Sequence, residues 1–159
     1  MARPNPIRAI MESPLPSITY QRRKLFRPGY ADINYAYNII NRYCFDNQLR
    51  KPEIVQRQLK GVWGFCQWEN ERQNNGSHCE INIVDKWFCP QWFIQTLAHE
   101  MVHQYQWDIH RFEYVLPTDS GAHGPSFFMW RDRFEHYGLN LKTAHGQKRW
   151  FKHQDFRKC

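Results

Sequence analysis

Trp92-Phe93-Ile94-Gln95-Thr96-Leu97-Ala98-His99-Glu100-Met101-Val102-His103-Gln104-Tyr105-Gln106-Trp107 is the stretch from which the rest of the chain can be placed. Ile94, Leu97, Ala98, Met101, Val102 and Tyr105 recur at i, i+3, i+4 and i+7, the spacing of a helix with one apolar face. At about 100° per residue, His99 and His103 fall on roughly the opposite side, one turn apart, where two imidazoles can hold a single metal ion and look away from the core into a cleft. Glu100 lies beside the first of them, placed to take a proton from water at that ion without ligating it. His and Glu are each about one residue in twenty here, so H-E-x-x-H arises by accident on the order of 0.02 times in a chain of this length. The motif therefore reads as a zinc site with its own base rather than as two surface histidines.

Catalytic zinc normally takes three protein ligands, so a third must come from elsewhere in the chain. His110 shares the face of His103 but would sit about 10 Å further along the helix. A metzincin would need Gly at 106 and His at 109, where this chain has Gln106 and Ile109. Glu113, Asp119 and Glu135 are carboxylate candidates, Glu135 the best of them because it falls on a helix. Cys79 or Cys89 would suit an upstream thiolate as in peptide deformylases, but the sequence around neither has that family's motif. His123 is the strongest candidate. Gly121-Ala122-His123-Gly124-Pro125 is a tight small-residue turn at a helix start, which can aim a side chain back at the first two ligands.

Outward from the metal helix, which enters near Pro90 and runs to about Trp107, the pattern predicts an α+β unit. A first helix starts with Asp32 as N-cap and carries Ile33, Ala36, Tyr37, Ile40, Tyr43 and Cys44 on one face, until Asp46-Asn47 and Pro52 end it. Leu59 to Trp68 and His78 to Val84 read as two antiparallel strands joined by the turn Asn74-Asn75-Gly76. Asp108 to Ala122 reads as a loop, with a short strand over 112–116. A last helix begins at Pro125, buries Phe127, Trp130, Phe134 and Tyr137, and stops at Gly138. Residues 1–28, with Pro4, Pro6, Pro14, Pro16 and Pro28, show no helical or strand period and read as a basic arm; 29–141 form the domain, and 142–159 a basic tail.

The pair His99-Glu100-Met101-Val102-His103 and Gly121-Ala122-His123-Gly124-Pro125-Ser126-Phe127 resembles the SprT-like family, which includes Spartan-type proteases that digest proteins crosslinked to DNA. Cys44-Phe45-Asp46-Asn47-Gln48-Leu49 is similar to the segment that family carries after its first helix, and the Trp63 to Val84 hairpin matches in position. The resemblance spans Asp32 to Leu141. It implies a minimal zincin-like domain, with a small antiparallel sheet on about three helices, one zinc ion held by His99, His103 and His123, and Glu100 as general base. It also implies a metallopeptidase acting on protein substrates, including DNA-bound or DNA-crosslinked ones. Many bacterial members carry a cysteine-rich zinc ribbon after the protease domain, and this chain has only Cys159 there.

Charge bears on the partner. The formal net charge of +7 is concentrated at the ends: residues 1–28 hold six Lys/Arg against one acid, and 142–159 six against one, leaving a body of net −3. Such termini suit DNA, single-stranded or damaged, through phosphate contacts, or serve as solvated tails. Trp63, Trp87, Trp107, Trp130 and Trp150 would either stack on unpaired bases or fill the core. An odd count of five cysteines with no C-x-x-C argues against a secreted disulfide framework. With no signal peptide and no membrane-length apolar run, a cytoplasmic, nucleoid or nuclear protein is expected, with no membrane partner. The rival to the peptidase is a nucleic-acid-binding module in which zinc is structural. The histidines must be neutral to ligate, so loss of zinc by pH 5 and its retention at pH 7 are expected.

Overall fold

A 16-residue helix carries the H-E-x-x-H motif, and the other elements are arranged against it. The computed structural model describes residues 5–12, 26–87, 90–111 and 123–142. In chain order the elements are α1 (Pro6–Glu12), α2 (Tyr30–Cys44), β1 (Glu53–Arg57), β2 (Gly64–Trp68), β3 (Cys79–Val84), α3 (Pro90–Tyr105), a π-helical turn (Gln106–His110), α4 (Pro125–Phe128) and α5 (Arg131–His136). The fold is α+β. Ile33, Ala36, Tyr37 and Ile40 of α2, Ile81 and Ile83 of β3, and Phe93, Ile94, Leu97, Ala98, Met101 and Val102 of α3 are buried in one core. Among the described residues no helix is long and apolar enough to cross a membrane.

The sheet is mixed rather than antiparallel, with strand order β1-β3-β2. β2 and β3 pair antiparallel, Gly64 opposite Ile83 and Trp68 opposite Cys79, as the turn read between them predicts. β1 lies on the other side of β3 and is parallel to it, Glu53 opposite Glu80 and Arg57 opposite Val84. Only Ile54 and Val55 of this edge strand are half-buried, so its sequence carries too few apolar positions to show a period of two.

Three further local readings need correction. Residues 1–28 are not without a regular element: α1 forms, capped by Asn5, whose Oδ1 accepts the backbone N–H groups of Ile7 and Arg8 at 3.1 and 3.0 Å. Ile7, Ile10 and Met11 of this helix are core residues. Asp32 is not the N-cap of α2. It sits in the first turn and its carboxylate accepts the N–H of the capping Gly29 at 2.6 Å. The last helix is divided into α4 and α5. Between them a tighter turn, Trp130 N–H to Phe127 C=O at 3.4 Å, accompanies packing of the Trp130 ring against both Phe45 and Tyr105, each with centroids 4.7 Å away. Phe127, Trp130 and Phe134 are buried as expected, and Gly138 takes the left-handed φ of +81° that ends the run.

The segment after α2 is held under the end of α3. Asp46 and Asn47 adopt positive φ of 53° and 59°, and Asn41 pins the following turn through two bonds to the Leu49 backbone at 2.8 and 3.1 Å. Phe45 then packs on Tyr105 and Trp130, and Tyr105 donates to Gln48 Oε1 at 2.9 Å. The end of the metal helix is therefore tied to a turn far away in sequence.

Candidate metal centre

The i, i+4 spacing on α3 brings Nε2 of His99 and Nε2 of His103 to 3.2 Å. His123 is delivered from the turn before α4. Gly124 caps that helix in extended conformation with Pro125 in its first position, and the N–H groups of Phe127 and Phe128 bond the Gly124 carbonyl, each at 3.0 Å. The His123 Nε2 then lies 3.1 Å from that of His103 and 3.3 Å from that of His99. Three nitrogens at 3.1–3.3 Å form a nearly equilateral triangle. Zinc–nitrogen bonds of about 2.0–2.1 Å meeting at the tetrahedral angle require an edge of about 3.3 Å. The donor set fits one zinc ion, and it is the cluster of three or more metal-ligating side chains found among the described residues.

Phe127 is the floor of this site. Its ring lies 4.8, 4.9 and 4.8 Å from the rings of His99, His103 and His123, centroid to centroid. The helical spacing reads this residue as core, and its second task follows from position: it lies in the first turn of α4, the helix entered directly after His123, and its ring meets all three imidazoles. The expectation that the imidazoles look away from the core is therefore only half met. His103 is 8% exposed and Glu100 4%. The rings of Phe127 and His123 lie against that side of α3.

Burial sets the protonation states. It pushes His103 down to about 4; the bond to Gln106 opposes this, and the neighbouring His123 adds to it. His123 is lowered by burial as well. Both shifts favour the neutral imidazole, the form that ligates a metal. The proton on His103 is placed by Gln106, whose Oε1 accepts from Nδ1 at 2.8 Å and leaves Nε2 bare toward the other two rings.

Glu100 is desolvated, which pushes its carboxyl up to about 8. Its Oε2 is buried with no hydrogen-bond partner among the described residues. An unsatisfied carboxylate oxygen one residue from His99, on the helix that carries two of the three clustered imidazoles, is the arrangement a metal and a water would complete. Room for Glu100 comes from Gly64 on β2: a Cβ there would meet the Asn82 carbonyl at 2.8 Å, Thr96 Cγ2 at 3.2 Å and Glu100 Cγ at 3.4 Å. The strand passes this close to α3 only because position 64 has no side chain.

The other candidates fall elsewhere. His110 ends the π-helical turn with its ring against Tyr105 at 5.0 Å and is outside the histidine cluster. Glu135 is exposed on α5, in a surface depression with Asn5, Arg8 and Gln91. Cys79 is buried with Sγ 3.9 Å from Asp108 Oδ1. Asp108, in sequence no more than the start of a loop, fastens the π-helical turn to the sheet. Its carboxylate accepts from Ser77 Oγ at 2.6 Å, the His78 N–H at 2.7 Å and Gln104 Nε2 at 3.0 Å. Gln104 in turn accepts from Tyr37 Oη of α2 at 2.8 Å. Cys89, Glu113, Asp119, the strand expected at 112–116 and the two basic termini, apart from residues 5–12, 26–28 and 142, lie outside the described residues.

Compared with known families, residues 33–145 match the model of the SprT-like family, 113 of the 159 residues. Comparison with curated proteins finds no match.

Proposed function

This chain belongs to the SprT-like family, and from that membership and the histidine triangle we propose that it is a zinc-dependent endopeptidase whose substrates are proteins bound or crosslinked to DNA. The observation that carries the reading is the triangle of Nε2 atoms with the unsatisfied Oε2 of Glu100 next to it in sequence. His99, His103 and His123 would hold the ion. When bound, zinc supplies Lewis acidity, polarising a peptide carbonyl and lowering the pKa of water toward about 7.

The residues of the chain do the rest. Glu100 accepts the proton of the attacking water on its carboxylate and hands it to the departing amine, so one group acts first as base and then as acid. A carboxyl whose burial raises its pKa is suited to that exchange, since it holds and releases a proton near neutrality. His103 stays neutral and correctly turned through Gln106. The ring of Phe127 closes the floor, which excludes water from the protein side of the imidazoles. The basic termini support the DNA part of the reading, because the body between them carries the wrong sign to bind phosphate.

The test is a paired assay on wild type and Glu100→Gln. Bound zinc is measured by metal analysis, and cleavage of a DNA-binding protein is followed with and without single-stranded DNA. Zinc in both proteins, with cleavage only by wild type and faster with DNA, is expected. Zinc in both with cleavage by neither would replace the peptidase with a zinc-stabilised nucleic-acid-binding module.

A further inference from the structure

Gln106 is completely buried, and its one amide reaches two different elements. Oε1 accepts from Nδ1 of His103, on α3, at 2.8 Å; Nε2 donates to Oγ of Ser126, on α4, at 3.0 Å. Ser126 stands three residues after His123, on the segment that delivers the third imidazole. A carbonyl oxygen can only accept, so in this orientation the His103 proton is on Nδ1. Were the amide turned over, its NH2 would face Nδ1 and the proton would be forced onto Nε2, between the other two imidazoles. The bond to Ser126 Oγ uses the other end of the same amide, so one side chain is fastened to both elements at once.

We propose that Gln106 is a positioning residue that couples the two halves of the metal centre. It fixes His103 in its ligating tautomer when α4, carrying His123, is docked through Ser126. The site is thus completed as a unit. This rests on the reading of the histidine triangle as a zinc site. The residue that breaks the metzincin pattern at position 106 is the one that supplies the link, and it lies three residues after His103, on the same helical face.

The full chain is titrated with zinc in competition with a chromophoric chelator, for wild type, Gln106→Leu, Gln106→Glu, Ser126→Ala and the Gln106→Leu/Ser126→Ala double variant. Gln106→Leu should weaken zinc binding about 10- to 100-fold, the usual cost of removing a partner of a ligating histidine. Gln106→Glu keeps an acceptor for His103 and should stay within a few-fold of wild type. Ser126→Ala should weaken binding less than Gln106→Leu, and the double variant should match Gln106→Leu alone, because Ser126 acts through the amide. A role confined to packing would lower the unfolding temperature of the metal-free protein without this non-additivity. Wild-type affinity in Gln106→Leu, or costs that add in the double variant, overturns the proposal while leaving the zinc site standing. Should Gln106→Leu not fold, wild-type affinity in Ser126→Ala overturns it. A wild-type chain that takes up no zinc overturns both this and the peptidase reading.

Discussion

Two residues of the site respond to pH in opposite directions, which gives the metal-free protein a recognisable stability profile. Glu100 holds its proton up to about pH 8 when folded and only to 4.5 when unfolded. Between those values the folded state binds the extra proton, so stability is lost as pH rises. His103 titrates at about 4 when folded against 6.5 unfolded, so there the unfolded state binds the extra proton and stability is lost as pH falls. His123, lowered by burial, follows His103. From pH 6.5 to 8 only the Glu100 trend is left of these. The unfolding temperature of chelator-treated wild type should fall across that window, and Glu100→Gln should remove the fall; parallel slopes in the two proteins would refute the assignment. The same burial moves the expected zinc release below the pH of about 5 read from the sequence with ordinary imidazole pKa values for the ligands. Metal analysis after stepwise dialysis should find zinc retained at about pH 5 and lost toward about pH 4, where His103 takes its proton. An empty site at the higher of these would show that burial does not protect the ligands.

At the scale of elements, Gly64 of β2 lies tight against both the Asn82 carbonyl of β3 and the side chains of Thr96 and Glu100 on α3. Gly64→Ala places a methyl group 2.8 Å from a backbone oxygen, which cannot swing aside as a side chain would. Overpacking of this kind costs about 1–3 kcal/mol, and here it also pushes on Glu100. Urea unfolding should show that loss, and peptidase activity should fall more than zinc content; an unchanged midpoint would mean that the strand moves freely. The seven-residue α1 offers the complementary case. Ile7 is fully buried, so Ile7→Ala should cost about 2–5 kcal/mol by chemical denaturation, whereas a residue of a free arm would cost nothing. Why this helix does not show in the sequence is physical. Ile7, Ile10 and Met11 have helical spacing, but two turns between prolines are too short for a period to stand out, and tertiary packing supplies the stability that length does not. α2 and α3 are long enough to display their apolar faces, so they and the ligand pair are legible. His123 is legible because a small-residue turn before Pro125 has few other uses. The parallel pairing of β1, the π-helical turn and the Gln106 link are not, since each depends on segments far apart in the chain coming together.

For the whole molecule, charge decides where a polyanion can touch. The body of residues 29–141 carries net −3 and repels phosphate, while the two ends, each with six Lys/Arg against one acid, attract it. Beyond the family match, residues 146–159 carry Lys148, Arg149, Lys152, Arg157 and Lys158, cations able to meet phosphate. Binding of this kind releases counterions, and the logarithm of the binding constant for single strands falls with the logarithm of salt by about 0.7 for each phosphate engaged. Replacing Lys148, Arg149, Lys152, Arg157 and Lys158 by glutamine should therefore flatten the salt dependence by up to about 3.5, in steps of about 0.7 for each phosphate no longer engaged. Fluorescence anisotropy with a labelled oligonucleotide over a salt series measures it. Zinc content should be unaffected, because none of these residues belongs to the histidine triangle. Cleavage of a DNA-bound protein should lose its stimulation by DNA while cleavage of the same protein free in solution persists. A slope equal to that of wild type would remove the tail from the proposed DNA contact and leave the basic residues of 1–28 to be tested in the same way.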